Sequence, residues 1–389
     1  MQQDPLVFTI FLIFAGAAIV ATLALYARQA LLVAYILIGI LFGPSVLGLV
    51  SDPILIQQIS HVGIMFLLFL LGLSLPLSKL IPLIQETTVV TGGSSILFAV
   101  TGAMVAWLFG FGTMDCLIVG AALAFSSTII GLKLLPTTVL HHKRSGEIII
   151  SILLIQDIVA IIILLMLQAA GQGSLAWSEI VLRIAALPLL MTTAYLLERF
   201  VLFRLMARFD KIHEYIFLMT IAWCLGFAEL ATNLGLSLEI GAFIAGVALA
   251  RNPIALFIGE SLKPLRDFFL IIFFFSLGAS FDLTMLSAVV VPAAIVSLIV
   301  LAGKPLAFRW LLQQSGEAAA RAGEIGVRLG QISEFSLLIA VLALELGVIT
   351  PQASYLIQVS TLITFIFSSF IIVRRYPTPI ALNDKLRRD

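Results

Sequence analysis

The chain of 389 residues is poor in charge. Asp, Glu, Lys and Arg make up 11% of it, against roughly 25% in a soluble domain. With 61% hydrophobic residues and a mean hydropathy of +1.17, a soluble enzyme is excluded and a polytopic membrane protein remains. The formal net charge of +1 says nothing about nucleic acid, and no nucleic-acid partner is expected. Cysteine is scarce too. Cys116 and Cys224 fall in or beside apolar runs, so they signal neither a disulfide framework nor a metal site. No G-x-G-x-x-G follows a strand, and the connections between apolar runs are too brief for a soluble domain. The first apolar run, Pro5 to Ala27, lacks a basic n-region (Asp4 precedes it) and is too long for a signal peptide, so it reads as a retained membrane helix. No cofactor is expected.

What is present is a series of long apolar runs. About 20 apolar residues at ~1.5 Å each cover a ~30 Å hydrocarbon core, and thirteen spans of that kind are expected. They lie near 6–27, 30–50, 54–75, 88–110, 114–135, 147–169, 177–199, 214–233, 236–251, 264–281, 284–312, 321–347 and 353–373. The ninth, which carries Glu239, is the shortest. Counting from an extracytoplasmic N-terminus, nineteen of the twenty-two Lys and Arg residues fall in or next to cytoplasmic loops or on the basic tail, 377–389. Only Arg183, Lys304 and Arg328 stand apart. That alternation obeys the positive-inside rule and puts the C-terminus in the cytoplasm.

Against this background a mid-membrane carboxylate stands out. The sixth span, Glu147 to Gln168, carries Gln156 and Asp157 at its centre. An aspartate there costs roughly 2.5–3.5 kcal/mol on insertion scales and is too short to snorkel, so it marks a polar cavity or a partner. Two further spans are broken at mid-depth: the fifth by Ser126, Ser127 and Thr128, the twelfth by Gly330, Gln331, Ser333 and Glu334. The breaks lie seven spans apart, hence in opposite senses, which points to inverted repeats and a transport site at the midplane. Unwound backbone there frees carbonyls for a cation, and half-helix ends add partial charges that need balancing. Lys304, followed by Pro305, lies about 12 Å deep at helical rise. Asp157 is the obvious carboxylate for its ammonium, either as a counter-charge or as a permanent structural pair.

The S-S-T of the fifth span, the Q-D of the sixth, the K-P of the eleventh and the G-Q-I-S-E-F of the twelfth resemble the monovalent cation:proton antiporter superfamily. The run F-F-F-S-L-G-A-S-F at 273–281 does so as well, and the Gln-Asp pair is similar to its potassium-efflux (Kef-type) branch. The resemblance implies an all-α membrane domain over 1–376 in which the fifth and twelfth helices cross, unwound, beside the Asp157 helix. It implies a core (88–169 and 284–373), a scaffold for homodimerisation (6–75 and 177–281) and elevator-like alternating access in a bacterial inner membrane. Kef-type systems usually append a cytoplasmic nucleotide-binding domain, and a regulatory domain of that kind is absent from this chain. The G-Q-I-S-E-F also looks like sodium-transporting relatives, which keeps Na⁺ beside K⁺ as the cargo.

Other classes fit less well. An intramembrane aspartyl protease needs a second aspartate in a G-x-G-D context, a voltage sensor needs arginines at every third position, and a ligand-gated channel needs a continuous polar lining. A sodium-coupled organic-anion carrier leaves the mid-helix aspartate unexplained. The expected function is therefore exchange of a monovalent cation for protons. Asp157 would hold proton or cation in turn, with Gln156, Ser126, Ser127 and Thr128 supplying oxygen ligands and Lys304 the counter-charge. Gln331, Ser333, Glu334 and Arg328 would build and balance the crossing. Gly39, Gly43 and Pro44 read as packing or hinge positions. His141 and His142 read as solvated loop residues beside Lys143 and Arg144.

Overall fold

A computed structural model of the protein describes residues 5–27, 29, 31–50, 53–73, 77–135, 144–170, 177–209, 211–236, 238–250, 252 and 254–378. Among the described residues there is no β-strand, and the chain is an all-α membrane protein. Its helices are α1 (Pro5–Tyr26), α2 (Leu31–Phe42), α3 (Pro53–Leu73), α4 (Leu77–Leu108), α5 (Thr113–Leu123), α6 (Thr128–Lys133), α7 (Arg144–Ala170), α8 (Trp177–Leu197), α9 (Phe203–Arg208), α10 (His213–Asn233), α11 (Leu238–Leu249), α12 (Ala255–Ser261), α13 (Lys263–Ala279), α14 (Leu286–Gln314), α15 (Ala319–Arg328), α16 (Glu334–Glu345) and α17 (Pro351–Arg375). Among the described residues seven stretches are long and apolar enough to cross a membrane: those in α1, α4, α7, α10, α14, α17 and the run from α8 into α9. Large apolar side chains face outward, and polar and charged groups are buried within the apolar interior. Val89, Trp107, Leu298 and Leu306 are exposed, whereas Ser127, Asp157, Lys304 and Arg328 are buried.

The chain divides into two compact units. One comprises residues 1–18, 35–80 and 173–281. It is held by glycines that let helix backbones touch, the small-residue packing that replaces hydrophobic drive in lipid. A Cβ on Gly39 would lie 2.2 Å from the Phe275 carbonyl oxygen, and one on Gly246 would lie 2.1 Å from that of Phe69. Gly39 and Gly43 are thus packing positions against α13.

The second unit comprises residues 19–34, 81–172 and 282–389. An apolar cluster that includes Val90, Ile149, Ile152, Phe308, Leu312, Ile325 and Leu329 fixes the first turns of α7 against α4, α14 and α15. Hydroxyls add to it, with Thr87 Oγ1 and Ser151 Oγ 2.7 Å apart across α4 and α7. Beyond the helix ends, Glu317 receives Arg144 Nε at 2.7 Å and Arg321 Nη1 at 2.6 Å. Burial pushes the Glu317 carboxyl up, but the two arginines outweigh it and hold it below the usual carboxylate range. In α14, Pro305 has no N–H to return to the carbonyl one turn back. Gly326 brings α15 so close there that a Cβ would lie 2.5 Å from the Pro305 carbonyl oxygen.

Candidate functional site

The second unit contains two interrupted helices that meet at their breaks. Residues 124–127 part α5 from α6, and residues 329–333 part α15 from α16. Freed backbone groups must find partners away from water, and polar side chains supply them. Ser127 caps α6, its Oγ accepting from the Ile130 N–H at 3.1 Å. Ser333 caps α16, accepting from the Phe335 N–H at 3.1 Å. These are the N-cap bonds that serine makes well. The breaks are also tied to each other. Ser126 Oγ donates to the Leu329 carbonyl at 2.9 Å, Gln331 Nε2 to that of Ser127 at 3.3 Å, and Ser336 Oγ to that of Ala122 at 2.5 Å.

Gln156 spends both ends of its amide on the first break. Its Oε1 accepts from the Ser126 N–H at 3.0 Å, and its Nε2 donates to the Ala124 carbonyl at 3.2 Å. Both bonds clamp unwound backbone that lacks its helical partners.

Lys304 reaches the same breaks. It is fully buried, and its ammonium makes no ion pair with Asp157. It donates to the Phe125 carbonyl at 2.5 Å and the Gln331 carbonyl at 3.1 Å, and approaches Ser126 Oγ at 3.5 Å. The Phe98 ring centroid lies 5.7 Å away. The reason is electrostatic. The carboxyl ends of α5 and α15 both point partial negative charge into the breaks, and a lysine there satisfies three donors at once. Several carbonyls expected to be free for a cation already accept a side-chain donor.

Asp157 is 2% exposed. Thr128 Oγ1 lies 3.1 Å from each of its carboxylate oxygens, and the carboxylate of Glu334 is near enough for the two charges to repel. Among the described residues Thr128 is its one hydrogen-bond donor. An ionised carboxylate offers about four acceptor sites, and burying it uncompensated is costly. This corner of the crossing therefore invites a proton or a cation, while the lysine charge is spent on carbonyls.

A family model described as "Sodium/hydrogen exchanger, transmembrane" matches residues 10–374. The chain belongs to that exchanger family. It is 30% identical over 345 residues to the putative K⁺ efflux antiporter KefB of Alkalimonas amylolytica, covering 87% of this chain and 52% of that protein. This bears out the resemblance to the Kef-type branch, and the chain spans about half the length of that relative. It is 29% identical over 355 residues to the iron transporter MagA of Paramagnetospirillum magneticum, covering 88% of this chain and 79% of that one. In fold it is like the sodium proton antiporter MjNhaP1 of Methanocaldococcus jannaschii, with a TM-score of 0.65, 17% identity, and coverage of 93% and 94%.

Arg328 is fully buried and donates to Glu324 Oε1, the Leu134 carbonyl and the Pro377 carbonyl, each at 3.0 Å. It balances the end of α6 and ties down the backbone that follows α17. Two residues missed by sequence reasoning come from α17. Thr364 Oγ1 accepts from the Ile332 N–H at 3.2 Å, and Ser368 Oγ donates to Gln331 Oε1 at 2.9 Å. Both sit in a helix dense in buried hydroxyls, where packing serines and threonines look alike. His141, His142 and Lys143 lie outside the described residues.

Proposed function

We propose that this exchanger swaps a monovalent cation, K⁺ in the first place, for protons, with Asp157 holding one or the other. The observation that carries the reading is a buried carboxylate with a single hydroxyl donor among the described residues, set against two unwound helix breaks. Its charge has to be met by something that arrives and leaves. Thr128 Oγ1 is the first protein ligand. Ser126 and Ser127 shape the break behind it, with Gln156 as its clamp. Lys304 bridges the two breaks through the Phe125 and Gln331 carbonyls rather than neutralising the carboxylate.

K⁺ is favoured over Na⁺ by the Gln156–Asp157 pair and by the relative named as a K⁺ efflux antiporter. The second unit is the moving core and the first the scaffold and homodimer surface, with thirteen crossings, the N-terminus outside and a bacterial inner membrane as the setting. The test is proton flux in proteoliposomes containing the purified chain, with K⁺, Na⁺, Rb⁺ and Li⁺ added in turn. The proposal expects K⁺- and Rb⁺-driven flux that Asp157→Asn abolishes. Flux driven by Na⁺ and Li⁺ alone would make it a sodium exchanger, and cation movement without proton movement would make it a channel.

A further inference from the structure

We propose that the second unit carries a binding site for an anionic phospholipid of the cytoplasmic leaflet, beside the α15–α16 break. A cavity of about 390 Å³ lies among α14, α15 and α17. That is the liquid volume of about thirteen waters at ~30 Å³ each, room for a phosphate-bearing headgroup and its glycerol. Its walls are divided by chemistry. Leu301, Leu306, Val327 and Ile371 give an apolar flank, and Arg309 and Arg375 give the charged one. Leu306 is 65% exposed and Ile371 38%, so the apolar flank opens outward, where an acyl chain would continue into the bilayer.

The charge favours an anion. Among the described residues no carboxylate lines the cavity. Among the described residues neither Arg309 nor Arg375 forms an ion pair, unlike Arg144, Arg321 and Arg328. Gly323 lies alongside Arg309, where a Cβ would make an ordinary contact 4.0 Å from Arg309 Cδ. Both arginines lie at the end that the positive-inside rule assigns to the cytoplasm, where basic pockets between membrane helices take lipid phosphates. A free phosphate would leave the apolar flank unused, and a neutral hydrocarbon would leave two guanidiniums unmet. An anionic lipid satisfies both.

The floor gives the site a consequence. Pro305, Gly330 and Ser368 belong to it. Ser368 holds Gln331 of the break, and Gly330 packs so that a Cβ would lie 3.0 Å from Pro305 Cγ. A lipid seated here touches the residues that hold Gln331 and Gly330 of the break in place. This inference does not depend on which ion is carried.

The experiment is native mass spectrometry and thermal unfolding of the purified chain in non-ionic detergent, titrated with phosphatidylglycerol, phosphatidylcholine or inorganic phosphate. The wild type is expected to retain phosphatidylglycerol over phosphatidylcholine and to gain thermal stability from it, with no response to phosphate alone. Removing both arginines in Arg309→Gln/Arg375→Gln should weaken retention by on the order of tenfold or more, since each basic residue near lipid contributes about fivefold. Arg309→Lys/Arg375→Lys, which keeps the charge, should restore most of it. Arg374→Gln is the control. Arg374 lies over the Phe370 ring at 4.6 Å and does not line the cavity, so its loss should leave retention unchanged. Equal weakening in Arg374→Gln would reduce the effect to surface charge and overturn the site. So would equal retention of the two lipids, a response to phosphate alone, or dissociation of a dimer in the Gln/Gln variant without lipid loss, which would seat a second copy there.

Discussion

Replacing Lys304 with methionine keeps the length of the side chain and deletes its charge. If the ammonium clasps the two breaks, the variant leaves the carbonyls of Phe125 and Gln331 without their donor. An acceptor left unmet in a dry site costs about 1–3 kcal/mol, so two cost about 2–6. Removing a buried ammonium returns part of its desolvation penalty. The net loss expected is about 2–4 kcal/mol. The decisive assay is a double-mutant cycle with Asp157→Asn, read by unfolding in detergent. Asp157 and Lys304 share no contact, so the losses should nearly add, with a coupling below about 1 kcal/mol. Breaking one side of a true buried ion pair costs about 3–5 kcal/mol. A coupling of that size would show that lysine and aspartate are paired and refute the clasp. Exchange in Lys304→Met should fall because the breaks lose the bridge between them, and Lys304→Arg should rescue it only in part, since a planar fork does not fit a three-acceptor corner.

Gln156→Leu should cost about 2–4 kcal/mol, because it strands the Ser126 N–H and the Ala124 carbonyl; unfolding temperature and flux should fall together although Asp157 is intact. Glu317→Gln should lower stability at neutral pH by about 1 kcal/mol, since its partners Arg144 and Arg321 are half exposed. Glu317 titrates below its ordinary 4.5 in the folded chain, so its contribution is present above about pH 4.5 and lost as the pH falls through the lowered value. Thermal melts of wild type and variant should therefore converge in acid, and a gap that persisted there would contradict the assignment. Gly326→Ala should destabilise by about 1–3 kcal/mol through overpacking against Pro305, whereas Gly323→Ala, whose Cβ would meet only Arg309 Cδ at an ordinary 4.0 Å, should be neutral or slightly stabilising by helix propensity.

The positions of the breaks were legible because Ser126–Ser127–Thr128 and Gln331–Ser333–Glu334 are polar runs inside apolar helices. Asp157 was legible for the same reason. Where Lys304 and Gln156 direct their donors was not. In a sequence the visible partner for a lysine is a carboxylate, but unwinding a helix creates acceptors out of carbonyls that every residue carries and no letter marks. Phe125 and Gln331 supply such carbonyls, and they outcompete Asp157 for the ammonium. Thr364 and Ser368 were hidden differently, among the hydroxyls of α17 that merely bond back to their own helix, as Thr361 does to Ile357. Gly39 and Gly43 showed as a small-residue spacing, but only the touching backbones of α2 and α13 decide between packing and hinge.

The central claim is that one carboxylate takes either a proton or a cation. Cation binding to a protonated ligand releases protons. The most direct measurement is therefore proton release on adding KCl to the purified chain in weak buffer, at a pH where Asp157 is partly protonated. The account predicts about one proton released per cation bound, an apparent K⁺ affinity that weakens as pH falls, and no release from Asp157→Asn. Release that survives in Asp157→Asn, or a K⁺ affinity indifferent to pH, would contradict it.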